Sequence, residues 1–446
     1  MAKVKSMTEG KPLNLLISMA IPIALGYLFN QLYSIVDSVI VGQALGVNAL
    51  AAVGSTAALN NLFCSLVIGT TVGAGILVGQ YYGKGDEKQI AKSIANSVYF
   101  NCAISVLLMI IAIPFAKYWL ILFNTPANIL SDATIYMQLY TAGILFMTLF
   151  YMSFGILRSF GDAKTPLIFM IVSSLVNIVL DLLFIYVFHM GVAGAALATT
   201  LAQGIAMVGC LIYSIKTNIY FALAIKEHDL DFDMIKRGSS IGLSLGFQSA
   251  LIYLSTSILQ AVINGYGENT IAAFTVTSKL EMMVQQPVLA LANTMTAYVS
   301  QNFGAGKMKR IDEGFRSCVI LSIAYSLIMF VVFLLFGKYF VRLFVSNKEV
   351  ISISAKGLII EFIFIFGLCM NSILKNVLSG AGDASFPIYA GIVEIIARLA
   401  FCFILTNISF INIWGIWLTT GLTWSVVGLF SYIRYKAGKW KENSFA

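Results

Sequence analysis

The sequence predicts an all-α polytopic membrane protein with twelve transmembrane helices, arranged as two six-helix lobes. Of its 446 residues, 59% are hydrophobic and 11% are charged, whereas soluble domains carry about 25% charged residues. Apolar runs recur along the whole chain, and about 20 apolar residues in a helix cross a hydrocarbon core of roughly 30 Å. The two halves of the chain also match each other at one fixed offset, which favours a duplicated bundle.

Twelve apolar runs have the length of a transmembrane helix. The polar N-terminal segment leads directly into the first of them, so no cleavable signal peptide is predicted. The runs cover residues 13–43, 48–80, 90–113, 128–155, 166–188, 191–214, 237–264, 269–303, 312–336, 351–378, 387–408 and 412–433.

The distribution of Lys and Arg predicts the orientation of these spans. With the N-terminus in the cytoplasm, 21 of the 28 Lys and Arg lie at or near inner ends, five lie outside, and Lys279 and Arg398 lie within spans. The positive-inside rule therefore predicts that both termini are cytoplasmic. One predicted outer loop, between spans nine and ten, departs from the rule because it holds four cations: Lys338, Arg342, Lys348 and Lys356.

An offset of 221 residues aligns four distant pairs of segments. GQYYGKGDEKQI at 79–90 matches SQNFGAGKMKRI at 300–311, and FGDAKTP at 160–166 matches AGDASFP at 381–387. One offset that serves several segments indicates a duplication. Each half holds six spans, so the two copies share their orientation, as in the parallel repeats of secondary transporters. We predict three regions: an N-terminal lobe at 1–214, a cytoplasmic linker at 215–236 and a C-terminal lobe at 237–446.

Polar residues inside the apolar runs of the N-terminal lobe predict a cation site. Asn177 and Asp181 are four residues apart and share a helix face. Asp181 and Thr199 lie at equal sequence distance on either side of the tight turn at Met190, so they project at similar depth. Asp37 lies eight residues before the next loop on the same side. We therefore expect Asp37, Asn177, Asp181 and Thr199 to lie close together.

The chemistry of these four residues favours a small hard cation. A carboxylate inside a membrane helix costs about 2.5 to 3.5 kcal/mol on insertion scales, so it is retained mainly for function. Carboxylate, amide and hydroxyl oxygens suit hard cations rather than transition metals. Two neighbouring acids also titrate as a coupled pair, so both Na⁺ and H⁺ are credible. The alternative is that the polar groups only form hydrogen bonds between helices.

The C-terminal lobe has different ionisable residues within its spans. Glu394 and Arg398 are four residues apart on one helix and are predicted to neutralise each other. Lys279 is two residues from Glu281, so the two side chains do not face each other. Glu361 has no evident cationic partner in the sequence. Glu361 and Glu281 are therefore a candidate second site for a proton or substrate.

These motifs together resemble the MATE (multidrug and toxic compound extrusion) transporters, most closely their prokaryotic branches. The motifs are YxxxD after a proline in the first span, NxxxD in the fifth, and paired GQxxGxG and GDxxxP loops. The likeness covers nearly the whole chain. It implies a monomeric antiporter in the bacterial plasma (inner) membrane, surrounded by lipids, that exports small organic cations in exchange for Na⁺ or H⁺. It implies no cofactor beyond this coupling ion.

The resemblance also implies roles for particular residues. Asp37, Asn177, Asp181 and Thr199 match the cation-binding positions of the family, and Tyr33 and Tyr136 stand beside them. Pro22 matches the proline at which the first helix bends during transport, and a proline inside a helix removes one backbone hydrogen bond. One departure is that the seventh span lacks the glutamate of the NorM-like branch, which argues against a NorM-type C-lobe cation site and leaves Gln248 without an assigned role.

Two other classes of function are weighed against this one. A flippase or exporter of lipid-linked or other amphipathic metabolites would need Lys or Arg facing its cavity, and the interiors of the N-terminal spans have none. A membrane enzyme would need clusters of catalytic or metal-binding residues, but the chain has two histidines and six scattered cysteines without CxxC spacing. A channel subunit would need a chain of Lys and Glu through successive helices. The net charge of +8 comes mostly from loops and predicts no nucleic-acid partner.

Overall fold

The computed structural model describes residues 6–442, in which helices joined by short loops form all of the regular structure and there are no β-strands. A π-helical segment, Leu182–Val187, extends the seventh helix. The α-helices in chain order are α1 Pro12–Leu45, α2 Val47–Lys84, α3 Glu87–Ala112, α4 Ala116–Leu122, α5 Leu130–Ala142, α6 Ile144–Ser159, α7 Lys164–Asp181, α8 Gly191–Thr217, α9 Ile219–Ala224, α10 Phe232–Ile263, α11 Glu268–Gly304, α12 Met308–Arg342, α13 Lys348–Phe362, α14 Ile365–Gly380, α15 Phe386–Thr406 and α16 Gly415–Ala437.

Each of the twelve predicted spans coincides with a helix or with a bent pair of helices. Among the described residues, nine helices are long and apolar enough to cross a membrane, and there are eleven such spans if each bent pair counts once. The pairs α5–α6 and α13–α14 bend by 45° and 51°. The remaining predicted span is α11, which is 37 residues long but more polar than the others because it carries Lys279 and Glu281. The short helices α4 and α9 were not predicted.

The duplication is confirmed in the backbone. Helix α6 begins at Ile144 and α14 begins at Ile365, so the two starts differ by the predicted offset. Glycines with positive φ recur at equivalent turns, including Gly161 and Gly382 with φ of 79° and 87°. A glycine is favoured there because positive φ carries little steric cost without a Cβ atom.

The same turn also repeats its hydrogen bonding. Asp162 accepts a hydrogen bond from the backbone N–H of Thr165 at 3.0 Å, and Asp383 accepts one from the N–H of Phe386 at 3.3 Å. Each aspartate thus satisfies a free N–H group at the start of the following helix. The GDxxxP motif therefore has a structural role in both copies.

The chain forms two compact units, and the first helix of each repeat is divided between them. The first unit contains Leu25–Phe247, and the second contains Thr8–Ala24 together with the chain from Gln248 onward. Helix α1 changes unit between Ala24 and Leu25, and α10 changes unit between Phe247 and Gln248. The predicted regions 1–214, 215–236 and 237–446 describe the sequence duplication, and these units do not test them.

Within the first unit, α2 and the first half of α10 meet through glycines. A Cβ atom added at Gly69 would lie 2.3 Å from the backbone nitrogen of Gly246, and one added at Gly73 would lie 2.5 Å from the carbonyl oxygen of Gly238. Small residues allow two membrane helices to approach this closely. The backbones of α2 and α10 are therefore in direct contact.

The predicted linker is held against α3 of the first unit. Asn96 donates to the carbonyl of Asp229 at 3.0 Å and accepts from the N–H of Asp231 at 2.9 Å. Lys92 and Asp231 form an ion pair at 3.1 Å. The hydrogen bond from the N–H of Met234, followed by that from Lys92, lowers the pKa of Asp231.

The segment before α1 is held in an equivalent way within the second unit. Lys307 donates to the carbonyl of Thr8 at 3.1 Å, and Arg310 donates to the carbonyl of Gly10 at 3.0 Å. Thr8 and Gly10 lie 221 positions before Asp229 and Asp231. Both repeats therefore anchor the chain just before their first helix, and within the described part of the chain only the linker uses a carboxylate to do so.

Candidate functional site

Helices α7 and α8 bring three of the predicted site residues together in the first unit. Asp181 is the last residue of α7 and is fully buried, with 0% of its surface exposed, and Asn177 lies one turn earlier at 2%. Thr199 faces them from α8 and is also buried. The predicted proximity of these side chains is therefore observed.

Asn177 connects Asp181 to α8. We assign its amide so that the nitrogen donates to Oδ2 of Asp181 at 3.1 Å and the oxygen accepts from the backbone N–H of Thr199 at 3.2 Å. The opposite assignment would point the amide oxygen at the carboxylate, an unfavourable contact unless Asp181 is protonated. The orientation of the Asn177 amide thus depends on whether the carboxyl group of Asp181 is protonated.

Asp37 completes the group from α1. Its partly buried carboxyl group interacts directly with that of Asp181. Within residues 6–442, the buried Oδ1 atom of each aspartate has no hydrogen-bond partner, and none of the ion pairs found there includes either acid. Two facing carboxyl groups without a cation form a site that a proton or a small cation would stabilise.

Two tyrosines surround the acids, as expected. Tyr33 and Tyr136 lie close enough to interact electrostatically with both carboxyl groups. Tyr136 stacks on Tyr140 with ring centroids 6.0 Å apart, and the Tyr140 hydroxyl contacts Sγ of Cys64 at 3.8 Å. The sequence reasoning missed Tyr140, although it lies one helical turn after Tyr136.

A small polar cavity of about 20 Å³ lies beside Asn177 and Thr199, and neither aspartate is among its lining residues. A cavity of this size holds about one water molecule, so it fits a water or a desolvated ion and excludes a drug-sized molecule. Its polar lining extends the faces of α1, α7 and α8 by one turn beyond the predicted residues. These lining residues include Asn30, Tyr33, Ser174, Asn177, Thr199 and Gln203.

The second unit has a salt-bridge cluster where the first unit has its acids. Arg398, which stands 221 positions after Asn177, is buried and lies 3.2 Å from Glu394, so the predicted neutralisation is confirmed. Lys375 lies 3.8 Å from the other carboxylate oxygen of Glu394. The charge distribution predicts that Lys375 lies at an inner end of a span, but it lies inside α14 and belongs to this cluster.

Glu281 and Glu361 lie next to the same cluster. The carboxyl groups of the two glutamates interact with each other and with Arg398. The expectation that Glu361 lacks a cationic partner was therefore wrong, because α13 and α15 bring Glu361 and Arg398 together. Glu281 also accepts a hydrogen bond from Gln285 at 2.5 Å. Lys279 is exposed, and residues two positions apart on a helix do not face each other.

Comparison with known proteins identifies the family. The model of the MatE family matches the chain twice, over residues 22–183 and 245–404. The chain belongs to this family. The resemblance inferred from the motifs is thus confirmed, and each match covers most of one repeat. Membership places the chain among multi-pass membrane transporters.

Two curated relatives show the extent of the similarity. The chain is 29% identical over 444 residues to "Probable multidrug resistance protein YpnP" of Bacillus subtilis (strain 168), and the alignment covers 98% of each protein. It is 23% identical over 361 residues to "Multidrug export protein MepA" of Staphylococcus aureus (strain bovine RF122 / ET3-1), and this alignment covers 80% of this chain and 77% of MepA. The first alignment thus spans nearly the full length of both proteins.

Solved MATE structures share the fold. "Crystal structure of MATE in complex with MaD3S" matches with a TM-score of 0.92 at 20% identity and covers 99% of this chain and 100% of that one. "Outward-facing conformation of a multidrug resistance MATE family transporter of the MOP superfamily" matches with a TM-score of 0.92 at 21% identity and covers 99% of each chain. The predicted fold class is thereby confirmed.

Proposed function

We propose that this MATE protein is a secondary active multidrug exporter that exchanges small organic cations for inward-moving Na⁺ or H⁺. The observation that carries the proposal is the pair of facing carboxyl groups, Asp37 and Asp181, each with a buried oxygen that has no partner among the described residues. Buried acids without a cation are costly in a membrane unless they bind or relay an ion. The names of the curated relatives, which include multidrug resistance and export proteins, support the export of drugs.

In this proposal Asp37 and Asp181 hold the coupling ion. Thr199 and Tyr33 supply hydroxyl groups beside them, and Tyr136 closes the site from α5. Asn177 positions Asp181 while the carboxylate is free, because its amide nitrogen then faces the carboxylate. When a proton or Na⁺ is bound, rotation of the amide would turn its oxygen towards the site, where it can accept a hydrogen bond from the protonated carboxyl group or ligate Na⁺.

Helix α1 provides a physical route from the ion to the transport cycle. Pro22 has no N–H to donate to the carbonyl of Ser18, so α1 is more easily bent there than elsewhere. Helix α1 passes from one compact unit to the other between Ala24 and Leu25, two residues further on. We propose that an ion bound at Asp37 favours one direction of α1, and that the drug favours the other. Such differential binding couples the two ligands reciprocally.

The second unit supplies a candidate proton site of its own. Its cluster contains three carboxyl groups but only two cations, Lys375 and Arg398. One negative charge therefore remains, and the buried Oε1 atom of Glu361 has no hydrogen-bond partner within the described chain. We propose that Glu361 and Glu281 share one proton, which leaves the cluster neutral.

Transport by purified protein in liposomes tests the main proposal. A Na⁺ gradient and a pH gradient are imposed separately, and movement of a fluorescent organic cation is followed for the wild type and for Asp37→Asn and Asp181→Asn. We expect one gradient to drive transport in the wild type and neither gradient to do so in the variants. Asp132→Asn, which alters an exposed acid on α5, is the matched control. Wild-type coupling in Asp181→Asn at equal reconstitution would refute the site.

We further propose that the protein acts as a monomer in a bacterial plasma membrane with both termini in the cytoplasm. The excess of Lys and Arg at the predicted inner ends supports this orientation. A reporter fused to the C-terminus that is active only in the cytoplasm provides the test, and an inactive reporter at normal expression would contradict it.

A further inference from the structure

A groove of about 1000 Å³ runs along the surface of the second unit, between α12, α14 and α16. Its apolar end lies at the break between α13 and α14, and its polar end lies near the start of α12 and the end of α16. The side chains that define these ends are Phe366, Met370 and Leu429 at the apolar end, and Arg316, Lys436 and Lys441 at the polar end.

The equivalent place in the first unit is filled. Phe146 packs 3.3 Å from the position that a Cβ atom of Gly204 would occupy, and Met207 is buried beside the same core. The residues 221 positions later are Gly367 and Gly428, which line the groove. An added Cβ atom would lie 2.6 Å from Oγ of Ser425 at Gly367 and 3.2 Å from the carbonyl oxygen of Gly367 at Gly428. These glycines therefore let α14 and α16 pack closely along the groove, where the first repeat carries two large side chains.

The second repeat also places cations at the rim of this groove. Ala95, Ile215 and Tyr220 of the first repeat correspond in sequence to Arg316, Lys436 and Lys441. Asp312 compensates part of this charge, since it lies 3.7 Å from Lys441 and accepts a hydrogen bond from the Tyr435 hydroxyl. Three cations and one acid leave the polar end with a net charge of +2.

The groove opens towards the hydrocarbon of the membrane. Ile320, Ile363 and Leu429 line it on apolar, membrane-spanning helices and are 64%, 59% and 60% exposed. An apolar groove that ends in a basic patch at the ends of membrane helices matches a phospholipid in shape and charge. Basic pockets between such helices bind anionic headgroups. An organic cation would be repelled by the same patch.

We propose that this groove binds one phospholipid with an anionic headgroup. One acyl chain would lie against Phe366, Met370 and Leu429, and the phosphate would lie between Arg316 and Lys436. This site is separate from the acids of the first unit and does not depend on the coupling ion. It would lie in the cytoplasmic leaflet if the predicted orientation is correct.

The test measures lipid binding to the purified, delipidated full chain in detergent. The probes are phosphatidylglycerol and phosphatidylcholine with the same acyl chains, and their dissociation constants are determined for the wild type and for the double variant Arg316→Gln/Lys436→Gln. We expect the double variant to bind phosphatidylglycerol roughly 10- to 30-fold more weakly, since each basic residue near anionic lipid contributes about a factor of five. Binding of phosphatidylcholine should not change.

A matched control and a local probe keep the result specific. Lys216→Gln/Lys226→Gln removes the same charge from exposed positions of the first unit and should bind both lipids as the wild type does.

Trp440 stacks on Tyr435, a groove residue, with ring centroids 5.4 Å apart. Phosphatidylglycerol with bromine at the ester end of its acyl chain, next to the headgroup, should therefore quench its fluorescence, and Trp440→Phe should lose that part of the quenching.

Three outcomes would overturn the proposal. These are equal affinity of the wild type for both lipids, unchanged phosphatidylglycerol affinity in the groove variant, and absence of a Trp440 component in the quenching. Displacement of phosphatidylglycerol by an organic cation at micromolar concentration would also overturn it, because it would assign the groove to transported substrate.

Discussion

The two units share one backbone plan but treat buried charge in opposite ways. In the first unit, Asp37 and Asp181 face each other without a cation among the described residues. In the second unit, Arg398 takes the place of an amide, Cys402 takes the place of an acid, and Glu394 pairs with Arg398 at 3.2 Å. The comparison teaches that a duplicated helix bundle can keep its turns and bends while one copy pairs buried acids with Lys and Arg and the other leaves its acids without a cation among the described residues.

The largest expected effect is a difference in coupled export between variants at two equivalent positions, Asp181 in the first unit and Cys402 in the second. Asp181→Asn should reduce coupled export to the level of protein-free liposomes, because an amide cannot take up a proton or replace a carboxylate towards Na⁺. Cys402→Ala, 221 positions later, should keep the wild-type coupling and lose about 1 kcal/mol of stability from a small cavity. Transport in liposomes and thermal unfolding in detergent measure the two effects. Loss of coupling in Cys402→Ala would break the comparison.

Removal of the buried Arg398 side chain from the second unit should lower the stability of the protein and leave the coupling of transport to the ion unchanged. Arg398→Met leaves Glu394 and its neighbours with an uncompensated buried charge, and breaking a buried ion pair on one side costs about 3 to 5 kcal/mol. The double variant Arg398→Met/Glu394→Gln should recover most of this loss, because both charges are then absent. Thermal unfolding of the solubilised variants provides the measurement. Equal stability of Arg398→Met and the wild type would show that the cluster is not a neutralised unit.

A smaller effect is expected where α2 crosses α10. Gly69→Ala should destabilise the protein by about 1 to 3 kcal/mol, because the new Cβ atom would overlap the backbone of Gly246 and overpacking costs that much. Gly54→Ala on the same helix has open space around its Cβ position and should be neutral or stabilising by up to about 1 kcal/mol. The repeat places Ala290 and Thr294 where α2 has Gly69 and Gly73, so this sensitivity should be confined to α2.

The smallest effect distinguishes the two anchored segments by pH. The pKa of Asp231 is lowered in the folded protein, so its anchoring of the linker is fully present above its unfolded pKa of about 4 and is lost as the pH falls below that value. The hydrogen bonds from Lys307 and Arg310 to the segment at Thr8 and Gly10 go to backbone carbonyls and not to a carboxylate, so this segment should be unaffected. Hydrogen exchange of the two segments at pH 7 and pH 3 measures the difference.

Asp231→Asn serves as the control for this comparison. It should remove the difference in linker protection between the two pH values and leave the segment before α1 unchanged. Equal pH dependence of both segments in the wild type would contradict the assignment of the effect to Asp231.

Some features of the site could be read from local spacing. Asn177 and Asp181 lie on one helix face because they are four residues apart, and the turn at Met190 places Thr199 opposite them. The same reasoning extends to Ser174 and Gln203, which line the cavity but were not predicted. These residues were missed because Ser and Gln are common on helix faces, and spacing alone does not tell which of them face a cavity.

Other features depend on contacts between helices that are distant in the chain. The approach of Arg398 to Glu361 joins α15 to α13, and the groove exists only where α12, α14 and α16 leave space. The division of α1 and α10 between the compact units also has no signature in the apolar pattern. A sequence does not show which helices approach each other, so it does not show where their packing leaves a groove.

The sequence by itself determined the helical class, the spans, the 221-residue duplication and the acids of the first repeat. It could do so because hydropathy, helical periodicity and internal similarity are local properties, which the membrane and the hydrogen-bonded helix enforce one segment at a time. Only the tertiary structure decided which buried charges are compensated, how Asn177 is oriented and where a groove remains open. Those properties depend on packing between segments, whose energy is shared by residues far apart in the chain.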